Sequence, residues 1–120
     1  MKNHKDLIVW QKSMLLVEEA YRLVRMLPKE ETYALSDQIR RAVVSIPSNI
    51  AEGNGRESAK EFLRFLAIAQ GSNAELETQL IICNRLGYLS SDDLSTALSL
   101  QEEVSKMLRT LIKKLIATSC

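Results

Sequence analysis

The chain is poor in the two residue types most typical of transition-metal and redox sites: one histidine, His4, and two cysteines, Cys83 and Cys120, in 120 residues. Two cysteines are too few for a disulfide framework and lack the spacing of a zinc site, which fits a reducing, cytoplasmic setting. A carboxylate-bridged metal centre in a helical protein draws on Glu-x-x-His pairs, and none is present, so neither metal nor cofactor is expected. Four glycines and two prolines are too few for a turn-rich β architecture. No apolar run approaches the length of a membrane span, and Leu7 to Trp10 is too short for a signal sequence. With a formal net charge of +1, the chain is not a polybasic nucleic-acid binder by composition. Any such role must come from where the charges lie.

What is present is helical periodicity within a single expected domain over residues 1–120. Leu7, Trp10, Met14, Val17, Tyr21 and Val24 step by three and four, predicting a first helix from about Lys5 to Leu27, closed by Pro28. Leu35, Ile39, Ala42, Val43, Ile46 and Ile50 share one face of a second helix. Pro47 interrupts that helix, removing one backbone donor and crowding the Val43 carbonyl, so a kink is expected there. Ser45, Ser48 and Asn49 can bond backbone groups locally, and Gly53 is the expected left-handed cap. Ser58 and Glu61 form a capping box for a third helix, whose ladder is Phe62, Leu66, Ala69, Asn73, Leu76, Leu80 and Cys83. Gly71 reads as a point of close helix approach, and Gly87 as the stop. Ser90 or Ser91 caps a fourth helix with the ladder Leu94, Ala97, Gln101, Val104, Leu108, Leu111 and Leu115. Lys106, Arg109, Lys113 and Lys114 gather toward its negative end. Four long helices with short connections predict an all-α, up-down-up-down four-helix bundle.

Few constellations carry chemistry. Arg56, Lys60 and Arg64 recur every four residues, with Arg40 and Arg41 on the preceding helix. Phosphate contact is one reading, and helix-surface pairing with Glu57 and Glu61 is the other. The turn Gly53-Asn54-Gly55-Arg56 could cradle an anion, but no strand precedes it and no GKS or GKT follows. Asn49 and Glu52 share a helix face without a catalytic partner, so a structural use is expected, Glu52 pairing with an arginine such as Arg41. The aromatic residues Trp10, Tyr21, Tyr33, Phe62, Phe65 and Tyr88 lie at helical spacing and read as core rather than as base-stacking platforms.

QIRRAVVSIPSNIAEGNGRES, with DLIVWQKSM, LPKEETYAL and FLRFLAIAQGSNAELETQL, closely resembles the four-helix-bundle proteins encoded in intervening sequences of bacterial large-subunit (23S) ribosomal RNA. The resemblance runs from about Asp6 to Leu115. It implies a compact bundle, commonly a ring-shaped homopentamer, with no established enzymatic activity and with Ser45, Pro47, Ser48, Asn49, Glu52 and Gly53 as its structural motif. A similar fold occurs in accessory proteins of diversity-generating retroelements, whose basic pentamer surface engages reverse transcriptase and nucleic acid. RNA or an RNA-bound protein is therefore the expected partner, against the alternative of a purely structural self-associating adaptor. One position departs from the pattern: where the family reads GSLAELET, this chain has Asn73 in GSNAELET.

Overall fold

In the computed structural model, which describes residues 3–118, four helices make up almost the whole chain. They are α1 (Ile8–Val24), α2 (Leu35–Asn54), α3 (Ala59–Arg85) and α4 (Ser91–Thr118), with short 3-10 turns at His4–Asp6 and Lys29–Glu31. Each helix packs on two neighbours, α1 on α2 and α4, and α3 on α2 and α4, while the diagonal pairs stand further apart across the shared core. The side-chain register is antiparallel. Gln70 and Asn73 of α3 donate to the carbonyls of Ser105 and Gln101 on α4, and Lys12 and Arg22 of α1 reach Glu103 and the Asp93 carbonyl. This is the up-down-up-down bundle, an elongated body of 47 × 24 × 20 Å. None of its helices is long and apolar enough to cross a membrane.

The ladders of α2 and α3 are buried as read, and that of α4 from Leu94 to Leu108, with Leu111 and Leu115 packed at the core's edge. Cys83 is core; Cys120 lies outside the described residues. The first helix differs. It starts at Ile8, because Leu7 is extended and the residues before it form a 3-10 turn held by the Asn3 side chain. Its core face is Val9, Ser13, Leu16, Ala20 and Leu23, one residue ahead of the expected ladder, with Val24 the only shared position. Ser13 is tolerated inside because its hydroxyl donates to the Trp10 carbonyl at 2.8 Å. Trp10, Val17 and Tyr21 flank the core half-buried, Met14 is exposed, and Tyr33 is 94% exposed, so the aromatic set is not uniformly core.

Two glycine readings are corrected. Gly53 does not end α2 in a left-handed conformation: it is a buried helical residue whose hypothetical Cβ would lie 2.7 Å from the Phe65 Cβ. A Cβ on Gly71 would meet nothing within 4 Å, so no helix of this chain approaches it closely. Gly87, at φ +80°, is the left-handed stop the sequence indicates.

Of the expected box at α3 only the serine half forms, since the Glu61 carboxylate turns to Arg64 instead of the Ser58 N–H. The Ser58 hydroxyl accepts from the Glu61 N–H at 3.1 Å. At α4 the exchange is reciprocal, the Asp93 N–H donating to the Ser90 hydroxyl and the Ser90 N–H to the Asp93 carboxylate. The Ser90 backbone donor, then its hydroxyl, holds the Asp93 carboxyl below its ordinary range. A depressed folded-state value means that this cap stabilises fully above the ordinary carboxylate pKa of about 4 and is lost as pH falls through the lower folded value. Asp93→Ala is therefore expected to lower the urea midpoint at pH 7, with the deficit closing progressively below pH 4. A deficit of constant size across that range would mean the carboxylate charge is not what caps the helix.

Candidate nucleic-acid interface

Helix α2 continues through Pro47 without a break. Pro47 is buried, and the polar residues after it brace the turn around it. Ser48 Oγ donates to the Val44 carbonyl at 2.8 Å, and Asn49 Nδ2 to the Ser45 carbonyl at 2.7 Å, the two carbonyls that follow the Val43 carbonyl freed by proline. Asn49 Nδ2 also bonds Ser45 Oγ at 2.9 Å, and Ser45 shares a 2.8 Å hydroxyl hydrogen bond with Ser72 of α3. Ser45, Ser48 and Asn49 thus brace a proline-bearing helix and stitch it to its neighbour. Sequence reading identified the first half of that role; Ser72 was missed, because only tertiary register reveals it.

Glu52 lies on the exposed side of α2 and pairs with Arg56 at 2.8 Å, not with Arg41. Arg41 instead pairs with Asp37, at 3.2 Å. The Asp37–Arg41 pair is an i,i+4 contact within α2, and the Glu52–Arg56 pair spans the same interval from the last turn of α2 into the connection that follows. The neighbouring turn holds no open anion cradle, since the Gly55 N–H bonds the Ala51 and Glu52 carbonyls and the Arg56 N–H the Gly53 carbonyl.

The five cations of the sequence patch separate into two groups. Ser45 opposite Ser72 and Gly53 against Phe65 fix α2 and α3 antiparallel, so Arg40 and Arg41 face the middle of α3 rather than its start. Along α2 they stand about 22 Å from Arg56. Arg40 is half-buried and donates to the Thr32 carbonyl at 3.2 Å.

Arg56, Lys60 and Arg64 do come together. The guanidinium carbons of Arg56 and Arg64 lie 5.0 and 4.5 Å from the centroid of the Phe65 ring, a double cation–π contact that orders both side chains. The Arg64 contact is local to α3, whereas the Arg56 contact depends on how the connection between α2 and α3 folds and has no sequence signal. Arg64 also pairs with Glu61 at 3.3 Å, and this hydrogen bond, followed by the arginine's charge, lowers the Glu61 pKa. Lys60 is exposed, with no carboxylate within 4.0 Å among the described residues. The arrangement can present two ordered guanidinium groups and the exposed Lys60 ammonium to an anion. It offers no nucleophile–base pair, and no group of three or more His, Cys, Asp or Glu among the described residues could hold a metal ion.

No curated protein matches the chain. Among solved structures, it is similar to a protein of unknown function from the S23 ribosomal protein family of Bacteroides thetaiotaomicron. That chain is 28% identical, superposes with a TM-score of 0.81, and is matched over 98% of its length and 88% of this one. Residues 5–110 match the family described as 23S rRNA-intervening sequence protein, and with that extent of match the chain belongs to this family.

Proposed function

We propose that this protein is a non-enzymatic, cytoplasmic bundle that self-associates, as a homopentamer, and serves as a platform for RNA or an RNA-bound protein. The observation that carries the reading is the pairing of two surfaces on one helix. The end of α3 carries Ile82 and Leu86 one turn apart, exposed at 39 and 56%, with Ile68, 41% exposed, about 21 Å nearer the helix start beyond Glu75. At the start of the same helix stand Lys60 and Arg64, with Arg56 just before them. Exposed aliphatic side chains one turn apart, as Ile82 and Leu86 are, are costly to leave in water and suit a subunit contact. Repeating the chain around a ring would then multiply the cations at the helix start, so a net charge of +1 per chain is no obstacle to phosphate binding.

Light scattering coupled to size exclusion, with absorbance at 260 and 280 nm, tests both halves on one sample. The wild type is expected at five times the 13.6 kDa chain mass, with co-eluting nucleic acid. Ile82→Glu is expected to lower that mass and leave helicity unchanged, since the side chain is exposed in the single chain. A wild type at monomer mass overturns the assembly. An oligomer with no bound or bindable RNA leaves only the adaptor reading, and a monomer without RNA overturns that reading too.

A further inference from the structure

Helix α4 is divided by charge. Residues 91–103 contain Asp92, Asp93, Glu102 and Glu103 and no lysine or arginine, whereas residues 104–118 contain Lys106, Arg109, Lys113 and Lys114 and no carboxylate. Favourable interaction with the helix dipole explains cations in the last turn only. Lys106 lies about 18 Å before the end of the helix and Arg109 about 14 Å, beyond that influence. All four side chains are exposed, while the opposite side of α4, Val104, Leu108, Leu111 and Leu115, packs in the bundle. Lys106 pairs with Glu102 at 3.3 Å, and Arg109 donates to Ser105 Oγ at 2.9 Å. Lys113 and Lys114 have no carboxylate within 4.0 Å among the described residues.

The α3–α4 register places more charge alongside. With Gln70 on Ser105 and Asn73 on Gln101, the start of α3 runs beside the end of α4, bringing Lys60 to the same end of the bundle. Lys106 to Lys114 span about 12 Å of rigid helix, a length over which a nucleic-acid duplex presents about seven phosphates. Recognition of single strands depends instead on exposed aromatic rings. This end has none: Phe62 and Phe65 are buried, Phe65 is covered by Arg56 and Arg64, and Trp10 is half-buried with its ring edge-on to His4. Insertion into a lipid surface would draw on an apolar face of α4, which the bundle already occupies.

We propose that the solvent face of the last four turns of α4, Lys106, Arg109, Lys113 and Lys114 with Lys60 beside them, docks on the phosphate backbone of a nucleic-acid duplex. The inference rests on the RNA-platform reading and narrows it: α4 carries the contact, duplex is preferred over single strand, and base sequence is not read.

Fluorescence anisotropy on the full chain decides it, with a 20-base-pair RNA duplex, a DNA duplex of the same sequence and an unstructured 20-nucleotide RNA as probes. The protein variants are the wild type, Arg109→Gln/Lys113→Gln/Lys114→Gln, and Arg40→Gln/Arg41→Gln at the other end of α2, with folding checked by circular dichroism. Wild type is expected to bind duplex at least tenfold tighter than single strand. The α4 variant is expected to lose at least tenfold at 50 mM salt, its log–log salt slope becoming shallower by about 2 to 3, at about 0.9 per phosphate contact. Comparable loss on RNA and DNA duplexes assigns the contact to the backbone; loss on RNA alone adds the 2′-hydroxyl to it. Duplex binding that survives in the α4 variant overturns this assignment while the platform reading stands, as does tighter binding to the single strand. No binding by wild type to any probe overturns both.

Discussion

Gly53→Ala is expected to destabilise the bundle by about 2 kcal/mol, and Gly53→Val by about 4 kcal/mol. The added Cβ would sit 2.7 Å from the Phe65 Cβ and 2.9 Å from the Phe62 Cδ1. The Phe65 Cβ cannot rotate away, being fixed to the α3 backbone, so α2 and α3 must separate. That separation loosens the most closely packed helix pair and strains the Ser45–Ser72 hydrogen bond further along the seam. The better helix propensity of alanine, about 1 kcal/mol, offsets only part of the cost, and the β-branched valine has less of that offset. Gly71→Ala is the control within the same protein. A Cβ there meets nothing, so the propensity gain stands alone and the chain is expected to be stabilised by up to about 1 kcal/mol. Urea unfolding of the three variants checks both signs. A Gly53→Ala protein as stable as wild type would mean that the helices part at little cost and that this glycine is not what sets their distance.

The two glycines also mark the boundary of what was legible in the sequence. Periodicity, capping residues and Gly87 act within a few residues of one another, and these local features carried the fold class, the helix order, the caps at Ser58 and Ser90, and three of the four core ladders. Gly53 was misread because a glycine near a helix end has two uses, a left-handed stop or a close approach. The choice depends on Phe65, which meets Gly53 only after the chain reverses. Helix α1 was misread by one residue because it carries two apolar ladders side by side. Small residues, Ser13 and Ala20, marked the one that faces inward, while the larger Trp10 and Tyr21 suit the half-buried flank.

The candidate interface was legible only in part for the same reason. Arg56, Lys60 and Arg64 are close in sequence and close in space. Arg40 and Arg41 lie 16 and 15 residues before Arg56 and stand well along α2, since each residue of helix advances about 1.5 Å. The cations that join Lys60 come from the far end of the chain, and only the antiparallel α3–α4 register brings them there. Their sequence explanation, the helix dipole, covered the last turn and concealed the absence of any carboxylate over residues 104–118.

Asn73→Leu is expected to stabilise the protein by about 2 kcal/mol. Asn73 is 1% exposed in the middle of the α3 ladder. Its Nδ2 donates to the Gln101 carbonyl at 3.1 Å, but its Oδ1 is buried without a partner. A buried acceptor in that state costs about 1–3 kcal/mol, against about 1 kcal/mol contributed by the one hydrogen bond made. Leucine, of similar length, replaces the amide with apolar surface among Leu76, Ala97 and the rest of the core, adding up to about 2 kcal/mol by burial. For a domain of this size the melting temperature should rise by roughly 6–10 °C. The asparagine has a compensating use in register. With Gln70 donating to Ser105 one turn away, it fixes how α3 slides against α4, which interchangeable apolar contacts do not. Asn73→Leu should therefore be more stable but less uniquely packed, visible as additional or broadened methyl resonances alongside a raised melting temperature. Since the same register aligns Lys60 with the lysines of α4, duplex affinity in this variant should fall even as stability rises. A leucine variant that is both less stable and unchanged in duplex binding would show that the amide is accommodated without cost and that the α3–α4 alignment does not depend on it.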